Sequence, residues 1–255
     1  MTGQQNKQCI SSRLVGFLSA LIVSLIILAT AQSSFAVVDY GDGDFTLSQW
    51  QTTAYYLGNG GTIGLNRVSS GGNPGVYLRV DHLVNRAPGG SNSSIVYGLH
   101  TLAGATYNPI TDGAIDTIDF SILYNNIDTA ASGMAFGMAL RQNGNIYGID
   151  PIISGTASGW QSVNKTSLQE SDFGLKVKQT DTFITDFNQN PDFSGSGSLI
   201  ELGLFTWNSN TSTDVPAIEK VGFDNWAVTV NNVPEPMTLS LLALGSLFMR
   251  SLKKK

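Results

Sequence analysis

Histidine, cysteine and paired carboxylates do most of the proton and nucleophile work in enzymes, and this chain scatters them. His82 and His100 fall in different segments, without the spacing of a metal pair. The single cysteine, Cys9, stands before an N-terminal apolar run. No Gly-x-Ser-x-Gly elbow precedes a helical pattern. Glycoside hydrolysis needs two carboxylates about 5–10 Å apart across a cleft. Asp116 with Asp119, and Glu170 with Asp172, are the near pairs, and their neighbours read as turns. Asp150-Pro151 is also turn chemistry. The expectation is a protein that is not an enzyme.

Two other kinds of chemistry fit the residue types better. Asp39, Asp42 and Asp44 alternate in a Gly-containing stretch, a spacing like half of a calcium loop without its closing Glu. The bland reading is a solvated acidic segment. Sugar binding needs an aromatic platform with amide or carboxylate partners. Trp50, Tyr55, Tyr56, Tyr77, Trp160, Trp207 and Trp226 supply rings, about half of which strand alternation turns inward. Trp160, in a Ser-Gly-Trp turn setting, is the candidate sugar contact.

The two ends of the chain frame these residues. Lys7 and Arg13 precede an uncharged, mainly apolar run from Leu14 to Ala31, and Ser34-Phe35-Ala36 puts small residues where a signal peptidase cuts. Residues 1–36 are therefore expected to be a signal peptide, with an uncleaved anchor as the other reading. At the far end Pro234 and Pro236 stop any helix from running back, since proline lacks the N–H and fixes φ. Residues 237–249 carry no charge, and Arg250, Lys253, Lys254 and Lys255 follow. As a helix this stretch would span roughly 20 Å against a hydrocarbon core of roughly 30 Å, a short transmembrane helix with snorkelling cations. A buried core helix is the bland reading.

Val233-Pro234-Glu235-Pro236, the apolar helix and the basic terminus resemble a PEP-CTERM sorting signal of Gram-negative bacteria. The resemblance covers residues 233–255. It implies an exosortase partner that recognises Pro234, Glu235 and Pro236, transient residence in the inner membrane, and export to the cell surface or beyond after trimming.

Between the ends lie residues 37–232. Residues 37–233 hold eight Lys plus Arg against eighteen Asp plus Glu, a net charge of −10, and no cysteine. The acidic balance argues against nucleic acid as a partner. Without disulfides the domain depends on its own core, which a chain of this length can bury. Period-two alternation broken every eight to twelve residues predicts ten or more strands. Trp50–Tyr56 and Thr62–Val68 read as a first hairpin, and 133–141 with 145–149 as a second around Asn143-Gly144. The expected fold is all-β, an antiparallel two-sheet β-sandwich.

Gly43-Asp44-Phe45, Trp50, Gly72 to Arg79, Thr117 to Phe120, Gly159-Trp160-Gln161 and Gly222 to Asn225 stand in an order that resembles laminin-IV-like and carbohydrate-binding-module-like jelly-roll sandwiches, the concanavalin- and galactose-binding-like shape. In such sandwiches the first and last strands often share a structural calcium, which the resemblance puts at Asp44 and Asp224. Three functions follow. The first is an exported, exosortase-sorted surface or biofilm-matrix protein associated with exopolysaccharide. The second is a lectin-like module with a specific glycan. The third is a jelly-roll glycan hydrolase.

Overall fold

A computed structural model describes residues 37–89, 92–127, 133–155, 158–179 and 182–233. The expected signal peptide (1–36), the Pro-Glu-Pro motif and the transmembrane helix with its basic end lie outside the described residues. Among the described residues no helix is long and apolar enough to cross a membrane.

Two antiparallel sheets form the sandwich, as the alternation predicts. The first runs, in spatial order, β10 (Gln161–Leu168), β6 (Ile115–Asn126), β14 (Ala217–Asn232), β4 (Gly75–Val84) and β3 (Gly61–Gly72), with β1 (Val37–Asp42) on the C-terminal half of β14. The second runs β12 (Phe183–Asp186), β11 (Gly174–Lys178), β8 (Asn145–Gly148), β7 (Ala135–Gln142), β13 (Ile200–Asn210), β5 (Ser94–Tyr107) and β2 (Trp50–Leu57), with β9 (Ile152–Ile153) on β7.

The inward positions make one continuous core. Leu78, Val80, Phe120, Ile122, Val221 and Phe223 of the first sheet are buried together with Phe136, Met138, Leu140, Leu202 and Leu204 of the second. Each such side chain contributes roughly 1.5–3 kcal/mol on burial, which is how a cysteine-free domain holds together. The β7–β8 hairpin turns through Asn143 and Gly144, at φ 54° and 80°, as Asn-Gly predicts.

The first expected hairpin is not one. β2 pairs with β5 in the second sheet, and β3 pairs with β4 in the first. The glycine turn at 58–60 carries the chain across the sandwich instead of folding it back within a sheet. Gly60 N–H donates to Leu57 O, and Gly61 then lies so close to β4 that a Cβ would sit 1.9 Å from Leu83 O.

The second sheet curls strongly. Five strand steps separate β12 from β5, about 24 Å in a flat sheet. Yet the Phe183 ring of β12 stacks on Tyr97 of β5 at 5.3 Å and meets Tyr55 of β2 at 6.5 Å. The β12 edge therefore overhangs the outer face of β5 and β2. β1 and β14 bring the two ends of the domain together, with Val37 opposite Asn231 and Val233 N–H on Ala114 O.

Candidate functional site

On the outer face of the first sheet, strand register lines up a row of polar residues. Asn66 of β3 faces Arg79 of β4, Arg79 faces Gly222 of β14, and Gly222 faces Asn125 of β6. Asn125 Oδ1 accepts the N–H of Gly159 at 3.0 Å and so fixes the turn that delivers Trp160. The Trp160 ring meets Tyr77 of β4 edge to face, with centroids 5.5 Å apart and planes at 76°. Both rings rest over Gly222, where a Cβ would come within 3.0 Å of Tyr77 and 3.3 Å of Trp160. Glycine is needed here for closeness: the missing side chain is the space the rings occupy. The result is an L-shaped aromatic corner on an open sheet face.

Polar groups with fixed orientation flank the corner. Arg79 Nε and Nη2 donate to Asp81 Oδ1 and Oδ2 at 2.7 and 2.8 Å, and Asn66 Nδ2 donates to Asp81 Oδ2 at 3.0 Å. The hydrogen bonds to Asp81 raise the Arg79 pKa, and the two-pronged contact orients the guanidinium. Both side chains remain partly exposed, at 32% and 26%. Planar donors and acceptors beside an aromatic face are what ring hydroxyls of a sugar require.

Asp224, expected as a metal ligand, anchors this corner. It is 1% exposed, and its oxygens accept the backbone N–H groups of Asn73 at 2.5 Å and Asn225 at 2.8 Å. Asn73 belongs to the β3–β4 turn, whose Gly71 carbonyl accepts the Trp160 indole N–H at 3.0 Å. Asn225, at φ 51°, sits in the bulge that lets β14 turn Trp226 inward. So Asp224 and Trp160 brace one turn from two sides.

The N-terminal acids also have structural work. Asp42 accepts the N–H groups of Asp44 and Phe45 and, at 2.7 Å, the indole N–H of Trp50. Asp39 accepts from Thr229 Oγ1 at 2.6 Å. Asp44 is exposed and offers its backbone oxygen to Arg67. No group of three or more His, Cys, Asp or Glu among the described residues is placed to hold a metal ion.

Two cavities lie elsewhere. One of about 330 Å³ is bordered by Asp150, Lys165, Ser171, Asp172 and Phe187. Both of its carboxylates are exposed. The other, of about 260 Å³, lies under the β11–β12 edge beside Tyr55, Tyr97, Lys176 and Phe183. Sequence reasoning passed over Tyr97 and Phe183. β5 is buried on both faces along Ser94–His100, so no alternation marks its residues, and β12 is only four residues long.

His82 and His100 do not flank either cavity. They meet inside the core, where they are fully buried.

No family model matches the chain, and no curated protein matches it. Solved structures do. The CBM22-1 xylan-binding domain of Paenibacillus barcinonensis Xyn10C superposes with TM-score 0.39 at 9% identity, covering 80% of this chain and 99% of that one. A xylan-binding domain from CBM 22 gives TM-score 0.35 at 14% identity, covering 77% and 95%. A xylan-binding module of family CBM15 gives 0.35 at 10%, covering 80% and 100%. Superpositions this loose transfer no ligand to this chain.

Proposed function

We propose that this protein is an exported, non-enzymatic glycan-binding module whose sugar contact is the Trp160–Tyr77 corner. The observation that carries the reading is the stacking of both rings over Gly222, beside the Asn66–Arg79–Asp81 network and Asn125. An aromatic face takes the apolar face of a pyranose, and the fixed amide, guanidinium and carboxylate take its hydroxyls. Arg79 is already neutralised by Asp81, so the corner suits an uncharged glycan. The glycan-binding module described here is favoured over a bare matrix component because the face carries this built corner. Exopolysaccharide is the natural source of such a ligand for a protein outside the cell.

The same proposal includes sorting. Pro234-Glu235-Pro236 followed by an apolar stretch and a basic end supports exosortase processing. Intact mass of the protein from its native cell tests this, with trimming near Pro234–Pro236 expected and an untrimmed tail refuting it. The binding reading is tested with Trp160→Ala in affinity electrophoresis through neutral polysaccharides. Retardation of the parent and not of the variant is expected; equal mobility through every polymer would sink it.

A further inference from the structure

The cavity under the β11–β12 edge lies on the other sheet and does not share the Trp160 corner. Its lining includes Lys176 and Lys178 and no acidic residue, in a domain whose net charge is −10. Tyr97, 2% exposed, is one of its lining residues, and the buried Tyr97 hydroxyl has no hydrogen-bond partner. Burying a hydroxyl with no partner is unfavourable unless a ligand supplies one. Phe183 stacks on Tyr97, and Tyr55 meets both rings at 6.1 and 6.5 Å. The nearby Glu201 is taken by Arg141, whose Nη2 donates to Oε1 at 2.8 Å, so it does not repel an anion.

We infer that this cavity is a second ligand site, for a single carboxylate-bearing sugar ring such as a uronic acid. The rings of Tyr55 and Phe183 take the pyranose face, the Tyr97 hydroxyl takes a polar edge, and the Lys178 ammonium takes the carboxylate, with the charge of Lys176 behind it. The volume of about 260 Å³ lies just under the usual range of small-molecule sites, about 300–1,000 Å³, which suits one ring and not a chain. Lys176 is held in place: its ammonium lies 4.4 Å above the Phe205 ring and donates to Ile149 O and Thr185 Oγ1 at 3.1 and 2.6 Å. Burial lowers its pKa to about 8, opposed by the attraction of Asp150, so it stays mainly charged at neutral pH. Lys178 is exposed at the rim.

The site stands independently of the Trp160 corner, and one experiment separates them. The full-length chain in mild detergent is titrated by calorimetry with glucuronate, with glucose, which differs at the carboxylate, and with benzoate. Glucuronate is expected to bind about tenfold or more tightly than glucose, the worth of one charge-assisted contact, and to weaken as salt rises. Tyr97→Phe and Lys178→Gln are each expected to weaken it about five- to tenfold, while Trp160→Ala leaves it unchanged. Tyr97→Phe removes only an unpaired hydroxyl, so its melting temperature stays at or above the parent's. Equal affinity for glucose, binding of benzoate as tight as that of glucuronate, unchanged binding in Tyr97→Phe, or no binding of any probe would each overturn the inference.

Discussion

His82 of the first sheet and His100 of the second reach the same hydroxyl across the core: Thr206 Oγ1 lies 2.9 Å from His82 Nε2 and 2.8 Å from His100 Nε2. Thr52 Oγ1 closes the chain at 2.9 Å from His100 Nδ1. Thr206 has one proton to donate and two lone pairs that can accept. His82 Nδ1 has no partner. The arrangement that orphans no ring N–H and also gives the Thr206 proton an imidazole acceptor has His82 Nε2–H donating to Thr206, Thr206 donating to His100, and His100 Nδ1–H donating to Thr52. This network works only with both rings neutral. Burial lowers both pKa values to about 3, and His100 adds to the shift on His82.

A stability dependence on pH follows. An unfolded histidine takes up its proton near 6.5, whereas these two resist it down to about 3 in the fold. Their contribution is therefore fully present above pH 6.5 and is lost as pH falls from there toward 3. Each is expected to remove roughly 2 kcal/mol by pH 5, at 1.36 kcal/mol per unit. Thermal melts between pH 7.5 and 4.5 should show a fall that His82→Gln, at some cost at neutral pH, makes shallower. A flat profile through pH 5 in the parent would contradict the buried neutral pair.

Asp224 gives a second expectation. Asp224→Ala leaves the N–H groups of Asn73 and Asn225 without their acceptor, at about 1–3 kcal/mol each, and frees the turn that holds Trp160. Chemical denaturation should read a loss of about 2–5 kcal/mol, and binding to neutral polysaccharide should weaken with it. A chelator should leave the parent's melting temperature where it was, because both Asp224 oxygens already accept N–H groups. A drop on chelation would give Asp224 back to a metal.

The contrast between Trp160 and Asp224 shows what a linear reading can reach. The partial exposure of Trp160 is legible because its Ser-Gly-Trp setting breaks strand alternation. The sandwich itself is legible from period-two runs such as 117–124, since one buried face imposes that pattern. Asp224 is a calcium candidate only through the sandwich resemblance, and its hydrogen-bond partner Asn73, 151 positions away, leaves no local mark in the chain. The expected β2–β3 hairpin fails because strand pairing is also decided at a distance. Gly58 and Gly60 signal a tight turn, but whether a turn stays in one sheet depends on where β5 and β4 offer partners. Tyr97 is hidden because a strand buried on both faces carries no period to read.

Gly222 offers the sharpest test of the corner. Its replacement by Val puts branched carbon where Tyr77 Cδ2 and Cε2 would stand 3.0 Å from the new Cβ. Gly222 has no positive φ and pairs with both Arg79 and Asn125, so the backbone tolerates valine and a strand position favours it. The rings must swing away instead, which costs about 1–2 kcal/mol of packing while the strand ladder stays intact. Melting should therefore fall only a few degrees, whereas retardation by neutral polysaccharide should drop about tenfold or vanish. Calorimetric binding of glucuronate on the other sheet should not change, since no residue of that cavity touches Gly222. A Gly222→Val protein that bound neutral polysaccharide as the parent does would show that the two rings are packing and not platform.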